Sequence, residues 1–427
     1  MSQAHLGQFL KSVVPEGVAD DLSIASQSVE GSDSESSKAD SSDDPTVSLL
    51  DKVAMAVDSL SASRPDQRVL IMRSLRNAFR VNYLGLPTLP ERWNYHETLI
   101  SSLDTAMRRG KPAEEVAAAQ CLNVFSAQLT PFENRCLVEQ FQSFMEARIC
   151  DPTEKSTFRS ACATTLGWLH FLGDSKDFPS IRRLMGLLED IFKASCLKGD
   201  GKPPTLEATT VSLHRDCLYV WCLLYTILPI SDASTLGQAT LKSLVSLLQS
   251  NYLDVRLAAG DAVGLIYERI RDETKSDFKG PYFTMLTEVL DQLANNSDKS
   301  TSKVDSKKQR SSFRDLLNFL RSYELPSEQV VKLQSEHLTI DTFCLAFLYE
   351  SFCRLIAVGM NTHLRESELI RTIFDLGPPS LKIHPSQAAR GQNKKARQYA
   401  NQRASKVRTR HRQKSRDRRA VLTQEEC

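Results

Sequence analysis

Four segments of the chain repeat one small-residue pattern, and that pattern sets narrow terms for the fold. They are Val116, Ala118 and Ala119 ahead of Leu122; Arg159, Ala161 and Cys162 ahead of Leu166 and Gly167; His214, Asp216 and Cys217 ahead of Val220 and Trp221; and Arg256, Ala258 and Ala259 ahead of Val263 and Gly264. Their starts lie 43, 55 and 42 residues apart. Armadillo and HEAT repeats recur about every 40–47 residues. The long interval holds Lys198, Gly199, Asp200, Gly201, Lys202, Pro203 and Pro204, whose composition marks a loop insertion. In a stacked solenoid the inner helix of each repeat is hemmed in by its neighbours. Small side chains are needed where backbones nearly touch. The expectation is an all-α, armadillo/HEAT-like α-α superhelix.

Periodicity agrees. Leu49, Leu50, Val53, Ala56, Val57 and Leu60 fall on one helical face over Ser48–Leu60, and Val69, Leu70, Met72, Leu75 and Phe79 on another over Gln67–Val81. Pro87 and Pro90 mark a loop at 82–94. Strand-type alternation is almost absent. The scaffold is expected over 46–294, followed by a polar linker at 295–312 in which Val304 is the lone large apolar residue. A helical C-terminal module is expected over 313–380. Its most apolar helix runs Thr342–Val358, with Gly359 suited to cap its end. A second helix, carrying Leu364, Leu369, Ile370, Ile373 and Phe374, is capped by Asn361 or Thr362 and stopped by Gly377, Pro378 and Pro379.

The formal net charge of +2 hides a strong polarity. Residues 1–50 hold nine acids against Lys11 and Lys38. The head, 1–45, is too poor in large apolar residues over Ser26–Asp44 to offset the entropy of ordering, and is expected to be disordered. Ser32, Ser37 and Ser41 each have an acid three residues on, a setting for acid-directed phosphorylation, though a solvated acidic head explains the same residues. The tail, 381–427, is the opposite. Lys394, Lys395, Arg397, Arg403, Lys406, Arg408, Arg410, Arg412, Lys414, Arg416, Arg418 and Arg419 fall within 26 residues that contain one acid, Asp417.

Ala396, Gln398, Ala400, Gln402 and Ala404 between these charges favour helix. Like charges one turn apart repel, so such a helix should order only when phosphates neutralise it. Arginine makes bidentate phosphate contacts, and Tyr399 is the only aromatic. Backbone-dominated, salt-sensitive binding to nucleic acid follows. Lys394 and Lys395, ten intervening residues, then Lys406, Arg408 and Arg410 also fit a bipartite import signal. A solvated tail that touches nothing specific is the third reading.

Catalysis finds little support. The eight histidines are scattered, no two of them at metal-ligand spacing, and the Ser-nucleophile and Gly-rich phosphate motifs are absent. Gly199 and Gly201 are followed by Pro203 and Pro204 where a helix N-terminus would be needed. His96 and His170 read as core or surface residues. Asp254, Asp261 and Glu268 read as a solvated face of one helix. Trp168 and Trp221 read as repeat core, with a peptide groove as the alternative. The ten cysteines include no Cys-x-x-Cys pair, so neither a disulfide framework nor a zinc site is expected. Met1–Phe9 lack the features of a signal peptide, and no run approaches 18 apolar residues, which points to a soluble intracellular protein without membrane association. No enzyme activity and no cofactor are expected.

Residues Glu336–Asp341 through Tyr349, then Phe352–Cys353, Gly359–Arg371 and Ile373–Pro379, placed before a Lys/Arg-rich tail, resemble the interferon-related developmental regulator family. The acidic Ser-rich head, Leu166–Trp168 and the repeats resemble its N-terminal part, so the likeness covers most of 45–410. The resemblance implies a regulator without enzymatic activity. Family members act as transcriptional co-regulators with repressor and deacetylase complexes, or as ribosome-associated factors that silence translation. His363, Arg365 and Glu366 stand out within this signature as a possible partner contact, against a packed helix cap as the plainer reading. The leading expectation is a scaffold that binds a ribosome or another RNA-containing assembly through repeats and tail. The alternative is a nuclear adaptor for transcriptional repressor complexes. Cytoplasmic and nuclear locations are both expected.

Overall fold

The computed structural model describes residues 45–85, 95–174, 176–274, 277–295, 303–322, 328–333 and 336–379. The chain divides into two compact units, the first ending at Gln128 and the second beginning at Leu129. The head and the basic tail lie outside the described residues.

The first unit holds α1 (Pro45–Ala62), α2 (Pro65–Val81), α3 (His96–Arg109) and α4 (Pro112–Ser126). They form two pairs, α1 with α2 and α3 with α4, and like packs on like: α1 along α3, α2 along α4. Pro65 and Pro112 open their helices at positions where the missing N–H costs nothing. Between α2 and α4 the contacts are polar at the rim. Arg68 Nε donates to Glu114 Oε1 at 2.7 Å, and Arg76 donates to Gln120 at 2.6 Å. Fully buried Gln128 donates to the Phe79 and Asn82 carbonyls at 2.8 and 2.9 Å and accepts from Leu84 N at 2.9 Å. It thereby satisfies the last carbonyls of α2, which helix geometry leaves without partners.

The second unit continues the pattern with α5 (Pro131–Cys150), α6 (Ser156–Leu172), α7 (Phe178–Phe192), α8 (Ala208–Tyr225), α9 (Ile230–Leu247), α10 (Leu253–Thr274), α11 (Phe283–Asn295) and α12 (Lys303–Ser322). These pair in order, and their second helices stack in order: α6 on α8, α8 on α10, α10 on α12. All four small-residue segments lie on second helices (α4, α6, α8 and α10), as the repeat pattern requires. The reason is visible at Gly167, where an added Cβ would stand 2.2 Å from Val220 Cγ1, and at Gly260, where it would meet the Phe313 ring at 2.9 Å. The fold is all-α of armadillo/HEAT type. Thr130 and Glu133 start α5 with a reciprocal capping box, Glu133 N donating to Thr130 Oγ1 at 3.2 Å and Thr130 N to Glu133 Oε2 at 2.7 Å. Arg271 on α10 donates to the Phe319 and Leu320 carbonyls of α12 at 2.8 and 2.9 Å, and Arg269 donates to the carbonyls of Tyr225, Thr226 and Leu228.

Three expectations need correction. The stretch 295–312 is helical from Lys303, so the repeats do not stop near Leu293 but gain a further pair, α11 with α12. The turn at its polar start is fixed by a hydrogen bond: buried Gln309 accepts from Arg256 Nη2 at 2.6 Å. A search for apolar spacing cannot see such an anchor. The C-terminal module is not wholly helical either. It contains an antiparallel hairpin, β1 (Gln329–Leu333) with β2 (Glu336–Ile340), in register Val331 opposite Leu338. Each strand is only five residues long, too short for alternation to stand out, yet Leu333, Leu338 and Ile340 are buried. Finally, α13 (Phe343–Ile356) ends on Ala357 at φ 54°, not on Gly359. Gly359 precedes α14 (Met360–Glu366), so Asn361 and Thr362 lie inside that helix. Ser367 separates it from α15 (Glu368–Ile373), its hydroxyl accepting from Ile370 N at 3.3 Å.

Candidate interaction site

Helix α13 lies against the second helices of the repeats. Gly264 on α10 makes its seat: a Cβ there would stand 2.8 Å from the Phe343 ring. Phe343 also packs on Phe319 of α12, ring centroids 4.8 Å apart. One turn further along α10, Glu268 accepts from Phe343 N at 2.9 Å and Cys344 N at 2.8 Å. A carboxylate on the first N–H groups of a helix satisfies orphan donors and complements the helix dipole. Thr342 completes the cap by accepting from Leu345 N at 3.1 Å. Burial pushes Glu268 up to about 7, outweighing the two N–H bonds that lower it, and Asp272 and Asp341 add to the rise.

Further along, Phe347 stacks on Tyr219 of α8, and the Arg354 guanidinium sits 3.7 Å from the Tyr219 ring centroid while donating to Glu350 at 2.9 Å. Fully buried Phe352 meets Trp168 at 4.8 Å and Phe171 at 6.2 Å, both on α6, and Phe374 at 5.6 Å beyond α15. One helix thus touches four successive second helices through aromatic rings. Phe343–Glu366 is apolar and long enough to cross a membrane on composition alone. Here Phe347, Leu348, Phe352, Leu355 and Ile356 of that run are buried, and the run is broken at Ala357. In this unit the face formed by the second helices α6, α8, α10 and α12 is packed against the chain's own α13.

At the other end of the module, Arg371 is buried. It donates to Glu336 Oε2 of β2 at 2.9 Å, to the Leu364 carbonyl of α14 at 2.9 Å, and to the Gly377 carbonyl. Leu376 N donates back to the Arg371 carbonyl at 2.8 Å. The segment leading to the tail is therefore tied to hairpin and helix alike.

The twelve basic residues expected to bind nucleic acid, Lys394 to Arg419, lie outside the described residues. His363 is fully buried with Nδ1 3.0 Å from the Gly359 carbonyl, so it faces the module interior and not a partner. Arg365 and Glu366 are half-buried, with Arg365 Nε donating to the Asn361 carbonyl at 3.2 Å. Trp221 is buried against Phe192 and Tyr225, as core. Asp254 is exposed and faces Arg215 at 3.3 Å, but Glu268 is no solvated acid. That reading is corrected because its covering helix comes from 75 residues later. No local signal marks this. Arg371 was equally invisible, although it falls within the family-like run.

His170 is buried, and burial pushes it down to about 4; His214, 2.6 Å from the Ser195 hydroxyl, is likewise pushed down to about 4 by burial. Burial pushes the Cys121 and Cys344 thiols up to about 12, which leaves them unreactive at neutral pH. A shallow cleft of about 370 Å³ is lined by Glu139, Gln142, Ser180 and Arg183. Its cation pairs with Glu146 at 3.0 Å. Among the described residues no group of three His, Cys, Asp or Glu could hold a metal ion.

Paired helices in consecutive stacks, with a C-terminal module bound along them, define a helical-repeat scaffold. The profile of the Interferon-related developmental regulator family matches residues 21–321, and that of the Interferon-related protein conserved region matches 368–420. The chain is 33% identical over 324 residues to Interferon-related developmental regulator 1 of Sus scrofa, covering 76% of this chain and 71% of that one. It is 32% identical over 354 residues to the Mus musculus protein of the same name, covering 83% and 77%. It is 31% identical over 375 residues to Interferon-related developmental regulator 2 of Mus musculus, covering 88% and 83%. The chain belongs to the interferon-related developmental regulator family.

Proposed function

We propose that the protein binds a large ribonucleoprotein, the ribosome in the first instance, and regulates or represses translation there. The observation that carries this reading is the run of twelve Lys/Arg within 394–419, set directly after a module docked on the repeats. A tail of this composition binds phosphate backbones with little sequence preference. A folded body beside it must supply the choice of site. In this reading that task falls to surfaces that α13 does not cover, the first helices of the repeats and half-buried Arg365 and Glu366 of the module among them.

The test is sedimentation of lysate through a sucrose gradient at low and raised salt, with the full chain beside a chain ending at residue 381. Co-migration of the full chain alone, weakened by salt, supports the reading. Both forms remaining at the top of the gradient would sink it. Charge reversal at Arg408, Arg410 and Arg412 should abolish co-migration without unfolding the body.

The bipartite spacing of Lys394, Lys395, Lys406, Arg408 and Arg410 favours a second reading, a nuclear co-regulator that joins transcriptional repressor complexes and uses the tail for import. Removal of 382–427 would then shift the protein out of the nucleus while its protein partners remain bound.

A further inference from the structure

Arg371 is nearly fully buried, at 3% exposure, and its guanidinium joins three pieces of chain: β2 through Glu336, α14 through the Leu364 carbonyl, and the post-helical turn through the Gly377 carbonyl. A buried guanidinium with fewer acceptors would be costly, so the arrangement demands that all three stay in place. The turn it holds is unusual in itself. Asp375 sits at φ 51°, and Leu376 N turns back to the Arg371 carbonyl at 2.8 Å. Pro378 and Pro379 follow at once, which stiffens the departure of the chain. Only fourteen residues separate Pro379 from the first charge of the twelve-residue basic cluster, Lys394.

We infer that the Arg371–Glu336 pair is a positioning device: it fixes the root of the basic tail on the docked module, so that the chain continues towards the tail from one place, Gly377–Pro379. This rests on the proposed use of the tail on RNA and adds a geometric requirement to it. A polycation on a free tether meets any phosphate within reach. One with a fixed root is presented to a particular groove of a large assembly, and the body and tail then act as linked binding modules whose gain depends on the geometry of the link. Lysine could not replace Arg371, because a single ammonium lacks the planar fork that reaches three separated acceptors.

The experiment uses the full chain in five forms: wild type, R371M, R371K, E336Q, and a chain with a flexible Gly/Ser insertion of about twelve residues after Pro379, long enough to free the tail root. Three quantities are read: hydrogen exchange at the Leu376 amide, affinity for a short single-stranded RNA, and ribosome co-sedimentation. Wild type should protect Leu376. R371M, R371K and E336Q should lose that protection, keep their affinity for the short RNA, and lose ribosome association by about two- to threefold, the scale on which lengthening the link dilutes the second module. The insertion should keep Leu376 protected and the short-RNA affinity intact, yet lose ribosome association to the same degree. E336Q leaves the arginine in place and guards against R371M failing to fold. Full ribosome association in the insertion chain would overturn the positioning role, whatever R371M does, and would leave the ribosome reading standing. A wild-type chain that binds short RNA but not ribosomes defeats the ribosome reading instead. The anchor is then decided by exchange alone: Leu376 protection lost in R371M and E336Q upholds it, and equal exchange in all forms ends it.

Discussion

Glu268 holds a carboxyl whose folded pKa, about 7, lies above its ordinary value of 4.5. Its contribution to stability is fully present below pH 4.5 and declines as pH rises towards 7. His170 and His214, held near 4 against 6.5, act in the opposite direction: their contribution is full above pH 6.5 and is lost as pH falls towards 4. Each of these three terms is worth roughly 1–3 kcal/mol. Acidification from 6.5 to 4.5 should therefore destabilise the second unit, two terms against one. Thermal melts across this range should show a steeper loss in Glu268→Gln, which removes the opposing term, and a shallower one in His170→Gln. Glycine gives a second comparison at this scale. Gly264→Ala drives a Cβ into Phe343 and should cost about 1–3 kcal/mol, the usual range for overpacking. Gly186 on α7 has open space around the added carbon. Gly186→Ala should stabilise by about 0.5–1 kcal/mol, the helix preference of alanine. Equal melting shifts of one sign for the two variants would contradict this account of the seat beneath α13.

Among elements, α13 is the one whose role the sequence hid. Its existence and start were legible, because Leu345, Leu348, Phe352, Leu355 and Ile356 keep one face, but its end was not: it stops at Ile356, before the glycine expected to cap it. The repeat helices were legible for a related reason: a small-residue pair followed by a hydrophobic patch is a local pattern that recurs. What α13 packs on was not legible. Contacts such as Phe352 with Trp168 join positions far apart in the chain, and periodicity carries no information about them. The same limit explains α12, whose first turns are polar and whose anchor is the Gln309–Arg256 bond, and the hairpin, whose strands are too short for their period to show. The candidate site follows suit: the tail charges could be read off directly, whereas Arg371 and Glu268 acquire their roles only from folded neighbours. Phe352→Ala should cost about 3–5 kcal/mol, as for large buried aromatics. The loss should appear mainly as fast hydrogen exchange over 343–377, with the first unit unchanged. Uniform exchange throughout the chain would mean that α13 is integral to folding of the whole and not a docked element.

For the whole molecule, the decisive quantity is how affinity for RNA responds to salt. A net charge of +2 would suggest a chain indifferent to polyanions. The distribution of that charge argues otherwise, since twelve cations are gathered in 394–419 while the head carries nine acids in its first fifty residues. Each phosphate contact releases condensed counterions, so the logarithm of the binding constant falls with the logarithm of salt at a slope of about −0.7 per contact for single strands. Replacing Arg408, Arg410 and Arg412 by Gln removes three such contacts. The slope should become shallower by about 2 between 50 and 200 mM salt, to the same extent for RNAs of unrelated sequence. Fluorescence anisotropy with two short single strands measures both quantities. An unchanged slope would mean that these arginines do not meet phosphate. A loss confined to one RNA sequence would mean that they read bases, which a tail with Tyr399 as its only aromatic residue is poorly equipped to do.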